Sequence, residues 1–167
     1  MIKIGNNLSE FSVYSCQPTT KGELKEIIDN RIFNEGPNCY LNDIDTSLIT
    51  DMNSLFYNSD FNGDISEWDV SNVKNMNFMF AYSKFNGDIS RWDVRNVNDM
   101  SYMFRASKFT NDISGWNVSN VKNMSMMFSY SGFNSNIYNW KINKDCNTSN
   151  IFFKSKIKNE YKPKLLQ

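Results

Sequence analysis

The sequence predicts an α+β repeat solenoid, a coil of about four and a half repeats of 24 residues behind an N-terminal cap of one strand and one helix. Three observations predict it. The stretches 61–80, 85–104 and 109–128 read FNGDISEWDVSNVKNMNFMF, FNGDISRWDVRNVNDMSYMF and FTNDISGWNVSNVKNMSMMF, one pattern written three times. Self-similarity at this period marks architectures built by stacking. The large apolar residues keep fixed columns within that period, and a well-punctuated amphipathic helix precedes them.

The columns justify the coil. Phe61, Phe85, Phe109 and Phe133 lead each copy, followed by Ile65, Ile89, Ile113 and Ile137, then Trp68, Trp92, Trp116 and Trp140. Val70, Val94, Val118 and Ile142 come next, then Val73, Val97 and Val121, then Met76, Met100 and Met124. Met79-Phe80, Met103-Phe104, Met127-Phe128 and Ile151-Phe152 close each copy, and Ser83, Ser107, Ser131 and Ser155 follow. Leu41, Ile44, Ile49, Met52, Leu55 and Phe56 extend the register backward, while Asp145 and Thr148 erode the fourth full copy. Divergent ends are expected, because a terminal repeat has one neighbour instead of two. An isolated coil cannot offset the cost of ordering its backbone, so neighbouring coils must supply the rest.

Within a coil, Trp68-Asp69-Val70 alternates like a short strand, and residues 76–80 read as one helical or 3₁₀ turn. FNGD marks a corner. The column Asn72, Asn96 and Asn120 is expected to stack amide on amide, as is Asn75, Asp99 and Asn123.

The cap is read from residues 1–36. EFSVYS alternates like a strand, with Phe11, Val13 and Cys16 or Tyr14 competing for the inside. TTKGELKEIIDNRIFNEG is a helix: Thr20 and Glu23 form a capping box, Leu24, Ile27, Ile28 and Ile32 share a face, and Gly36 stops it. The repeats occupy 37–156. Residues 157–167 form a basic tail, solvated around Pro163, with Ile157, Tyr161 and Leu165-Leu166 as candidates to dock on the last coil.

Taken together, FNGDIS and WDVSNVKNM recurring every 24 residues, with TKGELKEIIDNRIFNEG upstream, resemble the DUF285 family, also called BspA-like leucine-rich-repeat proteins. The likeness covers roughly residues 20–156. It implies a leucine-rich-repeat-like solenoid, a right-handed coil. Family members occur on bacterial surfaces, in lipoproteins, in protists and in viruses or phages, and surface members are associated with adhesion and protein binding. No catalytic motif is carried over.

Bulk properties narrow the function. The 18 basic and 18 acidic residues cancel, which argues against nucleic acid and anionic membranes as partners. No apolar run is long enough to span a bilayer. The N-terminus lacks the apolar region of a signal peptide, so the chain reads as cytoplasmic in a producing or host cell, with a cell-surface location as the alternative. Cys16, Cys39 and Cys146 are odd in number and scattered, as reduced thiols would be. With no histidine and no paired cysteines, neither a metal site nor a cofactor is expected. The columns Asp64, Asp88, Asp112 and Asp69, Asp93 raise Ca²⁺ as a minor alternative to turn capping. The chain is not expected to be an enzyme.

The outward positions carry the candidate site. On the strand face stand Glu67, Asp69, Arg91 and Asp93, with charge shifting from acidic to basic along the array and Glu67 placed to pair with Arg91. On the helical-turn face, Phe78, Tyr82, Tyr102, Met126 and Tyr130 should form a solvent-facing aromatic and methionine strip, with Phe78, Tyr102 and Met126 in one column. The expected function is a non-enzymatic protein-interaction module, a small inhibitor or adaptor from a virus, phage or mobile element. A surface adhesion module is the alternative, and a ligand- or ion-binding protein the second. The partner is another protein, and the chain itself a monomer or weak homo-oligomer.

Overall fold

The computed structural model describes residues 14–167. Its first element is α1, Lys21–Glu35. The Glu23 N–H donates to Thr20 Oγ1 at 3.2 Å, and the Glu23 carboxylate accepts from the Thr20 N–H at 3.3 Å. Gly36, at φ 90°, ends the helix with its N–H on the Ile32 carbonyl. Leu24 and Ile28 are fully buried and join the same core as Leu41 and Ile44. Arg31 ties the helix to the first coil through Asp43 at 3.2 Å and the Tyr40 carbonyl at 2.8 Å. Most of the strand expected over residues 10–15 lies outside the described residues. Just after it, Cys16 makes one parallel bridge to Ile44.

The expected α+β solenoid is overturned. Among the described residues there is one α-helix, two short 3₁₀ turns over Asn159–Tyr161 and Lys164–Leu166, and no strand. The coils still stack every 24 residues, but through single parallel bridges, Asp51 to Asn75 to Asp99 to Asn123 to Asn147. The reason lies in the backbone hydrogen bonds. At Trp68-Asp69-Val70 the alternation of burial is present, Trp68 and Val70 in and Asp69 out. Turns fold the chain on both sides, however: the Trp68 N–H returns to the Ile65 carbonyl and the Val73 N–H to the Val70 carbonyl. Between the two turns, neither Asp69 nor Val70 donates its N–H to a neighbouring coil among the described residues, so no ladder forms there.

The expected helical turn over 76–80 is also replaced. Met76, Phe78, Phe80 and Tyr82 donate their N–H groups to the carbonyls of Asp99, Ser101, Met103 and Arg105 in the next coil, at 2.8–3.0 Å. Met79, Ala81 and Ser83, which alternate with them, donate three residues back within the coil, and the Asn77 N–H donates to Asn75 Oδ1. Alternate amides thus serve the stack and the turn. A helix would need every amide to bond four residues back. Phe78 and Tyr82 are the third residues of the turns 76–79 and 80–83 and take φ 56° and 60°. Positive φ at that position is what a type II turn requires. Among the described residues, ten other than glycine share this conformation, two per coil from Ser54 and Asn58 to Asn150 and Lys154.

The core is a set of aromatic and aliphatic columns. Phe56, Phe80, Phe104, Phe128 and Phe152 stack with ring centroids 5.4, 5.7, 5.7 and 5.8 Å apart. Phe61, Phe85, Phe109 and Phe133 form a second column at 6.1, 6.3 and 6.3 Å. Offset stacking at such separations is favourable beyond the area buried. Trp68, Trp92, Trp116 and Trp140 are 4–5% exposed. Their indole N–H groups donate to the carbonyls of Leu41, Ile65, Ile89 and Ile113, each 27 residues earlier, at 2.9–3.1 Å.

The asparagine column works differently from the expected amide stack. Asn72, Asn96 and Asn120 donate to the backbone carbonyls of Ser47, Ser71 and Arg95 in the preceding coil. Asn75, Asp99 and Asn123 accept the N–H two residues on, and between these three only a 3.5 Å contact from Asn123 to Asp99 links side chains. Such local bonds are the common use of Asn and Asp at turns. At the far end the tail docks: Ile157 is buried, and the Ile137 N–H donates to the Tyr161 carbonyl at 3.0 Å, while Leu165 stays exposed.

Candidate functional site

Two outward faces carry the predicted residues, and the structure treats them differently. On the first, Glu67, Asp69 and Arg91 are exposed and Asp93 is half-buried. Glu67 and Arg91 line a polar cleft of about 350 Å³ with Ser66 and Asp88 but do not pair with each other. Asp93 instead pairs with Arg95 at 2.8 Å, and that guanidinium holds its carboxyl below the usual range. Asp64, Asp88 and Asp112 each accept the N–H of the serine two residues on, at 2.8–2.9 Å. The Ser66 and Ser90 amides keep the carboxyls of Asp64 and Asp88 low in the same way. Among the described residues no group of three or more carboxylates and cysteines gathers as a metal site would.

The second face is a connected aromatic surface. The residues that the spacing aimed outward, Phe78, Tyr82, Tyr102, Met126 and Tyr130, all sit at positive φ. Tyr82 and Tyr130 are 42% and 49% exposed, and the other three are half-buried. Phe78 and Tyr102 stack at 4.4 Å with planes 6° apart. Met126 continues the column and receives a contact from Arg105 Nη1 at 3.7 Å.

Sequence reasoning missed four members of this face. Tyr57 packs edge-on against Phe78 and Tyr82 at 6.1 and 5.7 Å. Phe153 meets Tyr130 at 5.4 Å, and Lys154 lies over both rings. Arg105 reaches three rings, with its guanidinium carbon 5.8, 5.6 and 6.0 Å from the centroids of Tyr82, Tyr102 and Tyr130. The signal for Arg105 was its place in the column Tyr57, Ala81, Arg105, Ser129, Phe153, where a long cation stands between two small residues.

With the periodic stack in place, the chain's relatives follow. A family model described as a Mycoplasma protein of unknown function, DUF285, matches residues 27–140 and again 81–163. The chain belongs to the DUF285 family. The two matches overlap because the 24-residue repetition offers a DUF285 pattern more than one place to begin. Together they take in α1 from Ile27, every repeat and most of the tail. No curated protein and no solved structure matches the chain. Among the described residues no helix is long and apolar enough to cross a membrane.

Proposed function

We propose that this DUF285 protein is a non-enzymatic protein-interaction module, acting as a small inhibitor or adaptor, and that it engages its partner through the face of Tyr57, Phe78, Tyr82, Tyr102, Arg105, Met126 and Tyr130. The Phe78–Tyr102 stack carries this reading. It continues along the stack axis into other exposed rings and a guanidinium, with the composition that dominates interface hot spots. Each ring is held by a turn whose amides bond on both sides of the coil, so little side-chain or backbone freedom is lost on association. The carboxylates of Asp64, Asp88 and Asp112 each accept the backbone N–H of the serine two residues on, a turn-capping use repeated once per coil.

Affinity capture from lysate tests the proposal, comparing the wild type with a Tyr102→Ala/Tyr130→Ala variant and a Glu67→Ala/Arg91→Ala variant. A partner retained by the wild type and by the Glu67/Arg91 variant, and reduced at least about tenfold by the Tyr102/Tyr130 variant, is expected. Capture indifferent to both tyrosines overturns it.

A further inference from the structure

Arg105 is the residue of the aromatic face that its surroundings do not satisfy. One coil earlier and one coil later the same position holds Ala81 and Ser129, both fully buried. The Arg105 guanidinium rests among the rings of Tyr82, Tyr102 and Tyr130. Among the described residues its Nη1 meets only the Met126 thioether, a weak acceptor. Its Nε is buried without a hydrogen-bond partner. No ion pair among the described residues includes it. A guanidinium so placed, with no carboxylate, has unused capacity for a two-point bond.

Beside it opens a cleft of about 230 Å³ lined by Arg105, Met126, Ser129, Tyr130, Asn150 and Phe153. The Ser129 Oγ is likewise buried without a partner. Lys154 Nζ stands 5.2 and 5.4 Å from the Tyr130 and Phe153 rings and makes no ion pair among the described residues either. One small cleft thus collects an unpaired guanidinium, an unpaired buried hydroxyl and apolar walls, with the Lys154 ammonium over two of its rings.

We infer that this cleft receives the C-terminal carboxylate of a protein partner whose last residue is apolar or aromatic. The carboxylate meets the Arg105 fork, and the last side chain lies against Met126 and Phe153. A chain end suits the cleft better than an internal Asp or Glu because it carries the carboxylate and the apolar side chain on one Cα. An internal acid places its apolar neighbour a full residue away, about 3.8 Å between Cα atoms. The inference rests on the interaction reading above and names the chemistry of its partner.

The test titrates N-acetyl-L-phenylalanine, and separately N-acetyl-L-phenylalaninamide, into the full chain, following amide and arginine Nε–H resonances. The acid is expected to bind saturably in the millimolar range, as its size allows. It should shift Arg105, Ser129 and Phe153, and the amide should bind at least about tenfold more weakly. Arg105→Ala, which the Ala81 and Ser129 positions show the coil can accommodate, should abolish the difference between acid and amide. Arg105→Lys should recover part of it, since a point charge replaces the fork. Equal binding of acid and amide, binding unchanged in Arg105→Ala, or no saturable shift in the millimolar range overturns the inference. Those results leave the interaction reading standing, because that depends on whether capture requires Tyr102 and Tyr130. Loss of that requirement with the acid still bound would remove the interaction reading alone.

Discussion

The indole N–H of Trp92 donates to the carbonyl of Ile65 at 3.1 Å, across the boundary between one coil and the coil before it. The same bond recurs at Trp68, Trp116 and Trp140. A buried tryptophan generally needs a partner for its N–H, and here that partner is supplied only by stacking.

Trp92→Phe should therefore destabilise the whole chain. The Ile65 carbonyl would keep the Trp68 N–H but lose this bond, costing about 0.5–1.5 kcal/mol, and the smaller ring adds a packing loss that brings the total to about 1–3 kcal/mol. Urea unfolding should show a lower midpoint with an unchanged slope. A loss below about 0.5 kcal/mol would show that the indole bond contributes little.

The positive-φ columns predict a stabilising change. Ala106 sits at φ 52°, in a column whose first member is Asn58. Alanine resists this conformation, whereas asparagine tolerates it. Ala106→Asn should raise stability by about 0.5–1 kcal/mol, read as a higher urea midpoint. Ala106→Val should lower it by more than that, because a β-branched side chain is poorly accommodated at positive φ.

Acid sensitivity follows from the turn-capping carboxylates. The Ser90 amide, followed by its hydroxyl, holds the Asp88 carboxyl below its ordinary value. The stabilisation is present above the unfolded-state value, about 3.9, and is lost as pH falls through the lower folded-state value. Thermal midpoints should thus decline in acid below about pH 4. Asp88→Asn keeps the acceptor oxygen, as Asn136 does for the Tyr138 N–H. It should flatten that decline while leaving the midpoint at neutral pH nearly unchanged. A decline as steep as the wild type's would remove Asp88 from the account.

Hydrogen exchange should report the alternation of amides. Met100, Tyr102, Phe104 and Ala106 donate to the next coil and should exchange only through large-scale opening. Thr148, Asn150, Phe152 and Lys154 hold the same places in the last coil and have no acceptor among the described residues. They should exchange at least about a hundredfold faster. Equal protection in the two sets would contradict the bonding pattern.

Much of this protein is written in residue order alone. The 24-residue register, the inward columns from Phe61 to Phe80 and the capping box at Thr20 and Glu23 are periodic or local properties, visible without coordinates. The outward aim of Phe78, Tyr82, Tyr102, Met126 and Tyr130 belongs with them, because it follows from which positions the core has already claimed. The backbone that presents these residues was not visible. Whether the Phe78 amide bonds along the coil or across to Ser101 depends on where the next coil's carbonyls lie, and that is a property of the stack. The strand and helical turn read from side-chain spacing gave way to alternating turns for that reason. Arg105 shows the same limit: one cation in a column of small residues acquires its three rings, its unpaired Nε and its cleft only when three coils are brought into contact.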